Sequence, residues 1–352
     1  MLWRASGQIQ QTEHYTHCVG MLEARDSGAR FGSANIAFYP LRVSPMIVRP
    51  RQHWLRLIFV WHGSVLHQLL FRLLLNFAMA VLAVLGMSQF AAWGLHMSTA
   101  PFSLIGIALA IFLGFRNSAS YDRFWEARKL WGMLLVTARS LLRQAQTLTG
   151  RRPDDPVVRE FAALLIAFAY QLKHQLRHSP AQADLARLLP PALVQRLGQA
   201  SYPCVLLLRE MGLWLQAQHA CGRLSDIRWQ AMDANLNELT AYHGGCERLA
   251  STPIPYAYSV LLHRTVYVYC TLLPFGLLDS VGVLTPLISV FISYAFMALD
   301  AIASELEEPF GTEPNDLALD AICITIERSL LELDDIAPLP QPHQPTEDHV
   351  LT

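Results

Sequence analysis

Ile107, Ile111 and Phe115 stand four residues apart in Leu104 to Phe115, a run of twelve residues without a polar side chain. Positions i, i+4 and i+8 of a helix share one face, with slow drift around the axis. If several copies of such a helix surrounded an axis, these side chains would form a hydrophobic constriction. A narrow apolar ring resists wetting and deprives ions of water contacts. Periodicity by itself favours ordinary packing or lipid contact over a pore. Gly106, Ala108, Ala110 and Gly114 lie on the remaining surface and would allow close helix contact. The run ends abruptly at Arg116, beyond which the chain turns basic, aromatic and amphipathic. A helix that is apolar all round and then charged leaves one solvent for another, so a membrane helix with its cytoplasmic end at Arg116 is predicted.

The composition agrees with a membrane setting for part of the chain. Of 352 residues, 53% are hydrophobic and 16% charged, against about 25% charged in ordinary soluble domains. The net charge of −1 selects neither nucleic acid nor acidic partners. The six cysteines (Cys18, Cys204, Cys221, Cys246, Cys270 and Cys323) form no CxxC pair, which supports neither a zinc knuckle nor a disulfide framework. Reduced thiols facing a cytoplasm are the expectation. The sequence holds no GxxxxGK[ST], GxGxxG, HExxH or GxSxG motif. An enzyme is not predicted, and neither a cofactor nor a metal is implied.

The elements that must position the apolar face are all helical. Residues 1–45 show no sustained period and lack the apolar core of a signal peptide; they read as a disordered or misassigned extension, with Met46 as the native start. His14, His17 and Cys18 have ligand-like spacing, but a disordered arm is a poor metal site. Residues 46–65 mix Trp54, Trp61, Arg51 and Arg56, as suits a headgroup region. A first span is expected from about Leu66 to Phe90, with Arg72 either snorkelling or pairing within the protein. The second span closes the segment 66–116. Two further spans are expected at about Tyr256–Leu278 and Leu284–Ala303, within segment 254–303.

The links between paired spans, Ala91–Ala100 and Asp279–Val283, lack Lys and Arg, whereas Arg116, Arg123, Arg128 and Lys129 crowd the other side. That asymmetry places both termini in the cytoplasm. A pairing of Arg264 with Asp300 would suit buried ionisable groups.

Residues 117–253 read as a cytoplasmic helical domain. Asp154 or Asp155 should cap a helix after Pro156, and Val157–His178 should be amphipathic, with His174 and His178 on a solvated face rather than ligating a metal. Asp154-Asp155 and Asp334-Asp335 read as solvated turns. Ser225 or Asp226 should cap a helix starting near Ile227. Residues 304–352 form a C-terminal segment whose proline-rich tail after Asp335 is expected to be disordered or draped on a neighbour.

Several stretches carry a family likeness. Ala108 to Asn117, followed by Tyr121 and Arg123 to Arg128, resembles the bestrophin family, specifically its bacterial branch. The resemblance continues in Thr252-Pro253-Ile254-Pro255, in Leu262 to Tyr267 and in Glu307-Glu308-Pro309-Phe310-Gly311, and covers roughly Met46 to Leu333. It implies a homopentameric ion channel in the bacterial inner membrane, all-α, with four transmembrane helices per subunit, a cytoplasmic helical domain and one central pore. It maps the hydrophobic neck onto Ile107, Ile111 and Phe115. It matches a cytoplasmic aperture to Ile227, with Asp226 beside it. An acidic ring there, and the bacterial character of the sequence, lead to an expectation of monovalent cations (Na+ and K+); a chloride or other anion channel of the same fold is the alternative. A membrane-anchored helical scaffold or enzyme is the rival of another class. The animal calcium clasp follows Pro-Phe-Gly as a run of acids; here Thr312-Glu313-Pro314-Asn315-Asp316 lacks or replaces three of them, so calcium gating is not expected.

Overall fold

A computed structural model describes residues 65–86, 89, 98–313 and 315–342. The expectations for residues 1–45, for the segment 46–65 apart from Val65, for residues 91–97 of the first interspan link and for the tail beyond residue 342 lie outside the described residues.

All regular elements among the described residues are helical. Helix α1 spans Leu66–Leu85. Helix α2 starts behind Ser98, whose extended backbone and side-chain oxygen, accepting from the Ala100 N–H at 3.3 Å, cap the first turn. It runs 51 residues, Thr99–Thr149, to a left-handed Gly150, a length of about 76 Å at the usual rise per residue. The helix does not break at Arg116, because no proline or turn-forming cluster follows Pro101. Its buried residues, among them Leu109, Leu113, Ser120, Phe124, Ala127 and Trp131, recur at helical spacing and form one stripe along its length.

Helix α3 (Pro156–Leu176) starts as predicted: Asp155 accepts from the Val157 N–H at 2.9 Å, with Pro156 in the first turn. That bond, with help from Arg151, holds the Asp155 carboxyl below its usual range. The expected amphipathic character fails. From Phe161 to Lys173 nearly every side chain is buried, because the helix lies within a second bundle. Around it come α4 (Gln182–Ala186), α5 (Pro191–Gly198), α6 (Pro203–Ala220) and α7 (Asp226–Ser251). His174 is not on a solvated face either: its ring nitrogens meet Ser179 Oγ at 2.7 Å and Asp184 Oδ2 at 2.9 Å. His178 is exposed.

Helices α8 (Tyr256–Val281) and α9 (Thr285–Glu307) are joined by a 3-10 turn, Gly282–Leu284, in which Gly282 takes φ +59°, a conformation that favours glycine. Helix α10 (Leu319–Leu333) then returns to the second bundle. There Tyr170 donates to Glu327 at 2.7 Å and Lys173 to Asp320 at 2.8 Å. Asp334 is not in a solvated turn: it is fully buried, accepts from the Asp154 N–H at 3.1 Å and from Gln146 at 3.2 Å, and burial pushes its carboxyl above the ordinary range.

Among the described residues three stretches are long and apolar enough to cross a membrane: Leu66–Leu85, Thr99–Thr149 and Tyr256–Glu307. The third comprises α8 and α9. Contacts of His263 with Asp300 and of Tyr269 with Phe296 show that they are antiparallel. Their 26 and 23 residues give about 39 and 35 Å, each enough for a hydrocarbon core of about 30 Å. Asn76 donates to the Cys270 carbonyl at 2.6 Å and accepts from Ser289 at 3.0 Å, tying α1 to both. Gly276 lets Phe102 of α2 lie against the α8 backbone, where a Cβ would overlap the ring. Helices α1, the first part of α2, α8 and α9 therefore form four spans in alternating directions. Arg72 pairs within the protein: it donates to the Tyr267 hydroxyl and lies 5.1 Å from the centre of that ring.

Among the described residues two hydrophobic clusters follow this division. One runs from Val65 to Ala298 through Leu109, Leu113, Val266 and Met297. The other is built on Trp131, Phe161, Phe168, Met211 and Ile326. Helix α2 contributes to both.

Candidate pore lining and aperture

Leu109 and Leu113 of α2 are buried against the neighbouring spans, which turns the opposite face outward. On that face Ile107, Ile111 and Phe115 are 61%, 53% and 65% exposed. The apolar surface is broader than these three, since Leu104 and Phe112 are also exposed. Gly106 behaves as its position suggested: a Cβ there would lie 2.8 Å from the Tyr269 hydroxyl. Gly114 does not, for nothing lies within 4 Å of its would-be Cβ.

A polar clamp beside Phe115 fixes the rotation of α2. Arg116, on the buried side, forms a salt bridge with Asp300 of α9 and donates to Ser304 at 3.0 Å, with Glu307 at 3.5 Å. His263 Nδ1 lies 2.8 Å from the other Asp300 oxygen. Asn117 donates to the carbonyls of Leu113 at 2.9 Å and Leu299 at 3.1 Å. The expected pairing of Arg264 with Asp300 is therefore incorrect. Arg264 faces outward on α8, while Asp300 faces α2. The clamp went unrecognised because Arg116 read as the charged end of a span rather than as an inward-facing base.

At the start of α7, Ser225 occupies the N-cap position with extended backbone, but its side chain makes no capping bond. Asp226 follows in the first turn, where a negative charge suits the helix dipole. Its carboxylate meets His219 Nε2 at 2.7 Å, and the His219 ring stacks on Trp229 with centres 5.0 Å apart. Ile227 is 80% exposed, and the Asp226 side chain 93%. Sequence reasoning missed His219 and Trp229; their only signal was a histidine and a tryptophan on either side of one short turn.

The segment after Pro309-Phe310-Gly311 folds onto itself. Asp316 accepts from the Glu313 N–H at 2.7 Å, and burial pushes its carboxyl up to about 6. Glu305 is engaged by Asn315 at 2.6 Å and Gln68 at 3.1 Å. Among the described residues no three His, Cys, Asp or Glu side chains converge as a metal site would require.

The bacterial/fungal bestrophin family model matches residues 46–332. The chain belongs to the bestrophin family. This bestrophin chain is 50% identical over 307 residues to the voltage-dependent anion channel-forming protein YneE of Escherichia coli K12, covering 87% of this chain and 100% of that one. It is 50% identical over 288 residues to the voltage-dependent anion channel-forming protein RSc3414 of Ralstonia nicotianae, covering 82% and 94%. The crystal structure of a bacterial bestrophin homolog from Klebsiella pneumoniae matches with a TM-score of 0.75 at 48% identity, over 77% of this chain and 100% of that one. YneE and RSc3414 are both named as channel-forming proteins, not as enzymes.

Proposed function

We propose that the chain is a subunit of a homo-oligomeric channel, pentameric about a central pore, that conducts monovalent ions across the bacterial inner membrane. The observation that carries this reading is the outward face of Ile107, Ile111 and Phe115, set by a buried clamp at Arg116. The same chain is half identical to a protein named as channel-forming. In this reading the three residues from each subunit form the neck, and Ile227 with Asp226 forms the aperture. Residues 66–116 and 254–303 span the membrane, residues 117–253 and 304–352 are cytoplasmic, and both termini are inside. The basic residues Arg123, Arg128 and Lys129 beyond the second span support that orientation. Calcium has no part in the proposal, because Glu305 and Glu307 are engaged by protein groups and the acids after Gly311 are few.

The names of the relatives favour anions over the Na+ and K+ expected from the sequence. Cations remain a second reading because Asp226 presents an exposed carboxylate beside Ile227. The purified protein in a planar bilayer under an asymmetric NaCl gradient tests both. Reversal near the Cl− potential supports the anion reading, and reversal near the Na+ potential supports the cation reading. A monomer that passes no current, including with the neck residues replaced by alanine, leaves the scaffold reading.

A further inference from the structure

Beyond Phe115, several of the charged side chains on α2 are engaged within the fold. Arg116 is buried against Asp300. Arg123 donates to the carbonyls of Thr252 at 2.7 Å, Leu249 at 2.6 Å and Glu307 at 3.2 Å. Glu126 forms an ion pair with Arg248, and Arg128 lies 5.5 Å from the centre of the Trp125 ring. Asp122, Lys129 and Arg143 differ. All three are exposed, and among the described residues none makes a side-chain hydrogen bond or an ion pair; Arg143 lies four heptads past Phe115, the farthest of the three.

The buried stripe fixes which way Asp122 and Lys129 point. Ile111 lies midway between buried Leu109 and Leu113, and so faces opposite to both. Asp122 lies midway between buried Ser120 and Phe124, and Lys129 midway between buried Ala127 and Trp131. Each is thus on the face that carries Ile107, Ile111 and Phe115, one and two heptads past Phe115 along the same unbroken helix. Seven residues advance about 10 Å and return to within about 20° of the same direction.

We infer that Asp122 is a specificity-determining residue: its carboxylate, repeated in each subunit, sets the ratio of cations to anions at the inner mouth of the neck. The inference rests on the channel reading and on the neck assigned above. Distance decides among these free charges. Asp122 lies about one Debye length from Phe115 at physiological ionic strength, Lys129 about two and Arg143 farther still, so of the free charges on this face the carboxylate acts most strongly at the neck. A ring of like charges at a confined mouth enriches counter-ions and depletes co-ions. The effect has the same sign whichever ion the channel prefers.

The test uses the full chain in planar bilayers. Asp122→Asn is expected to lower the cation-to-anion permeability ratio, read from the reversal potential in asymmetric NaCl, by about twofold or more, and Lys129→Gln to change it less. An unchanged ratio in Asp122→Asn overturns the inference. A second measurement places Asp122→Cys in a Cys18→Ser, Cys221→Ser background. Cationic and anionic methanethiosulfonate reagents should then change the current in opposite senses; no response to either also overturns it. The triple alanine variant of Ile107, Ile111 and Phe115 separates the two levels. If that variant changes conductance and Asp122→Asn does not change the ratio, the inference about Asp122 falls alone. If neither has an effect, or if neither wild type nor the triple variant passes current, the neck assignment falls with it.

Discussion

The guanidinium of Arg116 on α2 and the carboxylate of Asp300 on α9 form a salt bridge in which each side chain is only 4% exposed. Two charges taken so far from water stabilise little as a pair, yet losing Arg116 leaves the buried Asp300 carboxylate without its guanidinium, with only the His263 ring beside it. Arg116→Met is therefore expected to destabilise the protein by about 3–5 kcal/mol. The double variant Arg116→Met, Asp300→Leu should recover much of that loss. Thermal unfolding in detergent measures both; a double variant as unstable as the single would show that the pair supplies more than mutual compensation.

Ile107, Ile111 and Phe115 expose bulky apolar surface on one helix face. Replacing all three with alanine should widen the proposed neck and raise single-channel conductance, because a wider apolar ring wets more readily. Unchanged single-channel current in this triple variant would remove these residues from the permeation path.

At the start of α7, Ile227 is largely exposed and Asp226 is held by His219. Ile227→Ala should alter the current or the ion preference if Ile227 forms the aperture, and Asp226→Asn should shift the reversal potential towards that of the anion. Currents identical to wild type in both variants would reject the aperture assignment.

The Asp316 carboxyl, pushed up to about 6 by burial, gives a signed pH dependence. An acid raised in the folded state binds its proton more tightly there than in the unfolded chain. Its favourable contribution is complete below the ordinary aspartate value and is lost as pH rises through about 6. Asp316→Asn keeps an acceptor for the Glu313 N–H but carries no titrating group. Its melting temperature relative to wild type should therefore rise between pH 4 and pH 7. A difference that stays flat over that interval would show that Asp316 titrates normally.

Trp131 is fully buried where α2 enters the second bundle. Trp131→Ala removes the ring from a packed interior and should cost about 3–5 kcal/mol. Chemical denaturation would read it directly, and a loss below about 1 kcal/mol would show that the bundle closes around the vacancy.

Patterns with a local cause were legible in the sequence. The apolar run of α2, the outward spacing of Ile107, Ile111 and Phe115, and the Asp155 cap before Pro156 depend on neighbours a few residues away. What stayed hidden depends on which faces meet. Asp300 could pair with Arg264, close in the span pattern, or with Arg116, 184 residues away, and only packing decides for Arg116. The helix Pro156–Leu176 carries polar residues enough to look half solvated, yet it lies within the second bundle, where Lys173 reaches Asp320. Asp334 looked like part of a surface turn until the Asp154 N–H and Gln146 closed over it. His219 acquires its relation to Asp226 only because Gly222, at φ +70°, folds the chain back between α6 and α7.

Helix α2 has no proline after Pro101 and carries its hydrogen-bonded ladder through the whole of Thr99–Thr149. Helices bend sharply at prolines, bulges or inserted groups, and none interrupts it between Phe115 and Trp131. Mechanically it is a drive shaft. A twist imposed where the second bundle grips Trp131 meets no break in the helix before Ile107, Ile111 and Phe115, though it works against the bonds that hold Arg123 and Arg116. The clamp at Arg116 is the bearing in which that shaft would have to turn.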